Sequence, residues 1–125
     1  MGETLETLKA YQLARAFRKE AFKISRRFPR DDIRGAAHMR ETARQMTQNM
    51  AEGYHRNGYA EKIQFFRFAL TSTEELIDQI DAACDAGYIT SDELSRYAAQ
   101  GKEVLRVTVG YIKFLERQRS AGDTR

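Results

Sequence analysis

Apolar residues recur at spacings of three and four along nearly all of this 125-residue chain, and the recurrence breaks at only three places: Phe28-Pro29, the stretch Gly53 to Gly58, and Gly87. That period puts apolar side chains on one face of an α-helix, whereas a strand requires alternation. Pro29 is the single proline, so nothing else forbids long helices. The one β-branched cluster, Val104 to Ile112, lies inside a helix-period stretch. The chain is therefore expected to be all-α, with four helices joined by short loops. Short loops make successive helices antiparallel neighbours in an up-down-up-down four-helix bundle. A chain of this length forms one domain. The bundle is assigned to residues 1–119 and a disordered C-terminal tail to residues 120–125, where the sequence turns small and polar.

The first helix is expected from about Thr4, an N-cap residue type, to Arg27, with Ala10, Leu13, Phe17, Ala21, Ile24 and Phe28 on its buried face. The second runs from Asp32 to Glu52, capped by Asp31 or Asp32, on a row of Ile33, Ala36, Met39, Ala43, Met46 and Met50. The third spans Tyr59 or Ala60 to Ala86. Its row of Ile63, Phe66, Ala69, Thr73, Leu76, Ile80 and Ala83 is widened by Phe65, Phe68, Leu70, Ile77 and Cys84. The excess makes Phe65 and Phe68 candidates for a subunit interface, against the plainer reading that they broaden the internal core. The fourth opens at Thr90-Ser91-Asp92-Glu93, a capping-box pattern. Gly101 and Gly110 lie inside it, each costing roughly 1 kcal/mol relative to alanine, which points to close packing or bending there.

The chain is organised around Asn49-Met50-Ala51-Glu52-Gly53 and the Tyr54-His55-Arg56-Asn57-Gly58 that follows. Gly53 reads as a C-terminal helix cap and Asn57-Gly58 as a tight reversal. Asn49, Glu52 and Arg56, with Ser72 and Glu75 from the third helix, read as a structural polar cluster locking this corner.

Net charge is only +3, but it is unevenly spread. Residues 1–44 hold eleven Lys/Arg against six Asp/Glu, a net +5, while residues 68–95 hold seven acidic residues and no Lys or Arg. Such asymmetry suits an anionic partner or head-to-tail self-association. The outer face of the first helix supplies Arg15, Arg18, Lys19, Lys23, Arg26 and Arg27, and Arg40, Arg44 and Arg67 add to it if they face outward or into a central channel. Phosphate contact needs several cations on one surface. The competing reading is a solvated face whose cations suit a helix C-terminus. Without an aromatic stacking platform, any nucleic-acid binding is expected to follow charge and shape and to weaken with salt.

Catalytic signals are absent. Glu52 and His55 have Glu-x-x-His spacing, but no second such motif occurs, and a glycine at a helix end between them is expected to part their directions. Three residues before His38 stands Gly35, which cannot ligate a metal. The lone Cys84, flanked by Asp81 and Asp85, reads as a small core residue rather than a nucleophile. No phosphate loop or dinucleotide-binding glycine pattern is present. No enzyme activity, metal or cofactor is expected. The acidic, leader-free N-terminus, the single cysteine and the lack of any apolar run of about 20 residues point to a cytoplasmic protein with no membrane segment.

The ordered set of motifs resembles the 23S rRNA intervening-sequence protein family, also called the four helix bundle protein family, from roughly Leu5 to Leu115. Asn49-Met50-Ala51-Glu52-Gly53 resembles its Asn-Ile-Ala-Glu-Gly, and Arg56 falls on its following arginine. Phe65, Phe66, Ala69, Ser72, Glu75 and Leu76 resemble its third-helix segment. Phe28-Pro29 and Gly87-Tyr88-Ile89 match its breaks. His38, Gln45 and Thr47 depart from its Gln, Ser and Pro and mark a divergent branch. The resemblance implies a ring-like homopentamer linked by gene position to inserts in ribosomal RNA genes. A related bundle, the accessory variability protein of diversity-generating retroelements, is a basic pentamer that binds nucleic acid and a reverse transcriptase. Two expectations follow. One is a homo-oligomeric module binding RNA or DNA through basic faces. The other is a protein-interaction scaffold offering an apolar surface between subunits to a partner such as a reverse transcriptase.

Overall fold

Four helices, α1 (Lys9–Ser25), α2 (Ile33–His55), α3 (Tyr59–Asp85) and α4 (Ser91–Asp123), make up the computed structural model, which describes residues 2–123. Short 3-10 turns at Leu5–Thr7 and Arg30–Asp32 precede α1 and α2, and no strand occurs among the described residues. Cross-helix pairs give the topology. Arg18 meets Thr47 while Arg40 meets Ser25, so α1 and α2 run in opposite directions. Gly53 lies against Phe65 while Gln79 bonds Thr42, and Phe66 meets Tyr111 while Ile77 meets Gly101, which makes α2/α3 and α3/α4 antiparallel too. α1 and α4 close the bundle, with Arg27 on Glu93 and Phe17 against Gly101. The architecture is the up-down-up-down bundle that the short loops require.

The core is built from the 3–4 rows. Phe17, Ile24, Met39, Met46, Met50, Phe66, Leu76, Ile80, Val104 and Leu115 are fully buried. Burying each such side chain contributes about 1.5–3 kcal/mol relative to leaving it in water. Ile33 departs from its expected place on the α2 row: it is the first residue of α2, before the bundle closes over that helix, and is 69% exposed. Leu13, Phe28 and Cys84 are half-buried against the core rather than inside it.

Helix ends follow local chemistry. Asp32 caps α2, accepting the Gly35 N–H on Oδ1 (3.1 Å) and the Tyr88 hydroxyl on Oδ2 (2.8 Å). Gly87 takes φ 84°, and the Tyr88 N–H reaches back to the Ala83 carbonyl (2.9 Å), a left-handed close to α3. At α4 the capping box forms both ways: Thr90 N–H to Glu93 Oε1 (2.8 Å) and Glu93 N–H to Thr90 Oγ1 (3.1 Å).

Three expectations are corrected. The first helix does not run unbroken from Thr4: Leu8 leaves helical geometry (ψ 121°), and the break lets Leu5 and Leu8 both face the core. Gly53 is not a C-cap. α2 continues through it to His55, and its missing Cβ is a packing requirement, because a Cβ would stand 2.9 Å from Phe65 Cβ and 3.0 Å from the Phe66 ring. The tail expected from residue 120 is helical as far as Asp123; Thr124 and Arg125 lie outside the described residues.

Candidate nucleic-acid interface

The seam between α1 and α2 is polar in an ordered way. Each helix sends an arginine across to a buried hydroxyl of the other. Arg18 Nη1 donates to Thr47 Oγ1 at 2.7 Å, and Arg40 Nη1 lies 3.4 Å from Ser25 Oγ. Both hydroxyls give their own protons to carbonyls on their own helix, Thr47 to Arg44 (3.2 Å) and Ser25 to Phe22 (2.7 Å), so each oxygen acts as acceptor toward its arginine. Arg44 lies one turn beyond Arg40, its guanidinium 5.7 Å from the Phe22 ring centre. Across this seam Arg18, Arg40 and Arg44 thus each meet a neutral group of the other helix.

The expected basic residues divide accordingly. Arg15, Arg18, Lys19, Arg26 and Arg40 form no ion pair among the described residues. Lys23 pairs loosely with Glu20 (3.6 Å), Arg44 with Glu41 (3.4 Å), and Arg27 tightly with Glu93 (2.5 Å) at the far end of α1. Arg67 bridges Glu116 across the α3–α4 seam and does not join the set. Arg18, Phe22, Arg44, Thr47 and Gln48 border a depression of about 290 Å³, and Arg15 and Lys19 border a second with Glu6, Gln12 and Ala16. Phe22, Thr47 and Gln48 were not among the sequence-level candidates. The i, i+4, i+8 spacing of Arg40, Arg44 and Gln48 was the available signal for Gln48.

The polar cluster at the α2–α3 corner comes together only in part. Arg56 bridges Glu52 (3.2 Å) and Glu61 (3.4 Å) and lies over the Phe65 ring at 4.9 Å. Lys62 closes the end of α2 by donating to the Tyr54 carbonyl at 2.7 Å, and desolvation lowers its pKa below the ordinary lysine value. Asn49 is half-buried beside Glu52, while Ser72 is buried and Glu75 exposed two to three turns along α3 from Phe65; neither bonds to Asn49, Glu52 or Arg56. The cluster is therefore a local Glu52–Arg56–Glu61 chain. Since α2 is unbroken, Glu52 and His55 face the same shallow depression with Gln48, Asn49, Ala51 and Phe65, which corrects the expectation that Gly53 would part them. Among the described residues no three His, Cys, Asp or Glu side chains gather to hold a metal ion.

Phe68 is 45% exposed and meets Phe65 edge to face at 5.7 Å. Val109 and Phe114 are exposed on α4. Among the described residues no helix is long and apolar enough to cross a membrane.

An antiparallel four-helix bundle with a basic first seam is the class this geometry defines. The chain belongs to the 23S rRNA-intervening sequence protein family, whose model matches residues 6–110. No curated protein matches the chain.

Proposed function

We propose that this protein is a non-enzymatic, homo-oligomeric bundle, a pentameric ring, that binds RNA or DNA through its α1–α2 face in a cytoplasmic setting. The observation that carries the reading is that Arg15, Arg18, Lys19, Arg26 and Arg40 on that face form no ion pair among the described residues, with Arg18 and Arg40 held by hydroxyls instead. Cations already matched by internal carboxylates have little to offer a phosphate, whereas these keep their full charge. A ring would repeat the face around its axis and multiply weak contacts.

A mobility-shift titration with duplex RNA and duplex DNA at two salt concentrations tests it. Retention at low salt that fades at high salt is expected; no retention at low salt contradicts the proposal. The exposed Phe68, edge to face with the half-buried Phe65, supports a second reading, a scaffold whose apolar surface engages another subunit or a protein partner such as a reverse transcriptase. Phe65→Asp and Phe68→Asp should then disrupt assembly or partner recovery in a pull-down, and unchanged behaviour counts against it.

A further inference from the structure

The depression between α1 and α2 is lined by two guanidinium groups, a primary amide, a phenyl ring and a hydroxyl, with no carboxylate. Its volume of about 290 Å³ is roughly ten times the ~30 Å³ share of one water, enough for a hydrated oxyanion. A guanidinium carries five N–H donors. Arg18 uses Nη1 on Thr47, and because the Thr47 hydroxyl proton is committed to the Arg44 carbonyl, that oxygen holds Arg18 at the cleft as a pure acceptor. Arg18 has no other polar partner among the described residues, so its remaining N–H groups are available. Arg44 is steered over Phe22, and its one ion pair, to Glu41, joins side chains 47% and 55% exposed. An exposed pair of that kind is worth about 0–1 kcal/mol and exchanges readily for a better-placed anion. The Gln48 amide, which is exposed, makes no hydrogen bond among the described residues. Donors outnumber acceptors here, an imbalance that oxygens carrying negative charge relieve.

Resting on the nucleic-acid reading above, we propose that this cleft seats one backbone phosphate of a nucleic acid, clamped between Arg18 and Arg44, with Gln48 as third donor. Such a contact fixes where the strand crosses the α1–α2 seam and carries no sequence preference. The roles differ. Arg18 is pre-positioned by Thr47, while Arg44 must leave Glu41 to close on the phosphate.

The test is fluorescence anisotropy with a labelled RNA duplex and a DNA duplex of the same sequence, between about 50 and about 200 mM salt. The proteins compared are wild type, Arg18→Gln, Arg44→Gln, the double variant, and Arg96→Gln on α4 as a control. The Arg44 side chain is exposed, so its variant keeps the test open should Arg18→Gln unfold. The clamp predicts binding weakened several-fold in each single variant, and a slope of log K against log salt reduced by about 1 in the double variant. Both duplexes should respond alike, and Arg96→Gln should match wild type. Wild-type protein that binds neither duplex at low salt overturns the nucleic-acid reading and this one with it. Wild-type binding with an unchanged slope in Arg44→Gln and the double variant overturns the cleft alone. Saturable binding of inorganic phosphate without duplex binding overturns the assignment to a nucleic-acid backbone.

Discussion

Thr108 is fully buried in α4, and its hydroxyl finds no hydrogen-bond partner among the described residues. A buried hydroxyl left unmatched costs about 1–3 kcal/mol of desolvation. Thr73 is equally buried but donates to the Ala69 carbonyl at 2.8 Å. Thr108→Val should therefore raise stability by about 1 kcal/mol, while Thr73→Val should give no comparable gain; urea denaturation of the two variants checks this. Glycines separate in the same way. A Cβ at Gly101 would meet Ile77 Cγ1 at 2.5 Å and Phe17 Cζ at 2.9 Å, whereas one at Gly110 would meet nothing within 4 Å. Gly101→Ala should lose about 1–3 kcal/mol to overpacking. Gly110→Ala should gain up to about 1 kcal/mol from helix propensity. Thermal melts that rank the two variants the other way would contradict this packing. The sequence marked both glycines as unusual for a helix interior, but only the facing helices show which one is needed.

At the scale of elements, helix existence was legible because the period of three and four runs the length of each helix, and the Thr90–Glu93 cap was legible because both partners are local. Gly53 was not, since a glycine after a helical run fits a cap or a close approach equally well, and Phe65 and Phe66, which decide it, lie on the next helix. The Arg18–Thr47 bond was invisible for the same reason: its partners are 29 residues apart. The cap of α4 also carries a pH dependence. The Thr90 N–H first, and the Arg27 guanidinium second, hold the Glu93 carboxyl below its ordinary value of 4.5. The folded state thus releases this proton more readily than the unfolded chain. The stabilisation is complete above about 4.5 and is lost as pH falls through the folded value. The melting temperature should drop more steeply between about pH 5 and pH 3 in the wild type than in Glu93→Gln, and parallel curves would remove Glu93 as a cause.

For the whole molecule, charge and surface point in different directions around the bundle. The α1–α2 side carries cations, among them Arg18 and Arg40 held by hydroxyls, whereas α3 and α4 expose Phe68, Val109 and Phe114. This division suits a ring in which one side faces a polyanion and another faces a neighbouring subunit. The pentameric ring proposed above predicts about five times the chain mass by light scattering, and a monomer mass would remove the ring. The surface itself is tested most directly by hydrogen exchange with and without duplex RNA at low salt. New protection is expected in the stretches around Arg15 to Lys23 and Arg40 to Gln48, reversed by added salt. Protection confined to α3 and α4, or none at all, would contradict it.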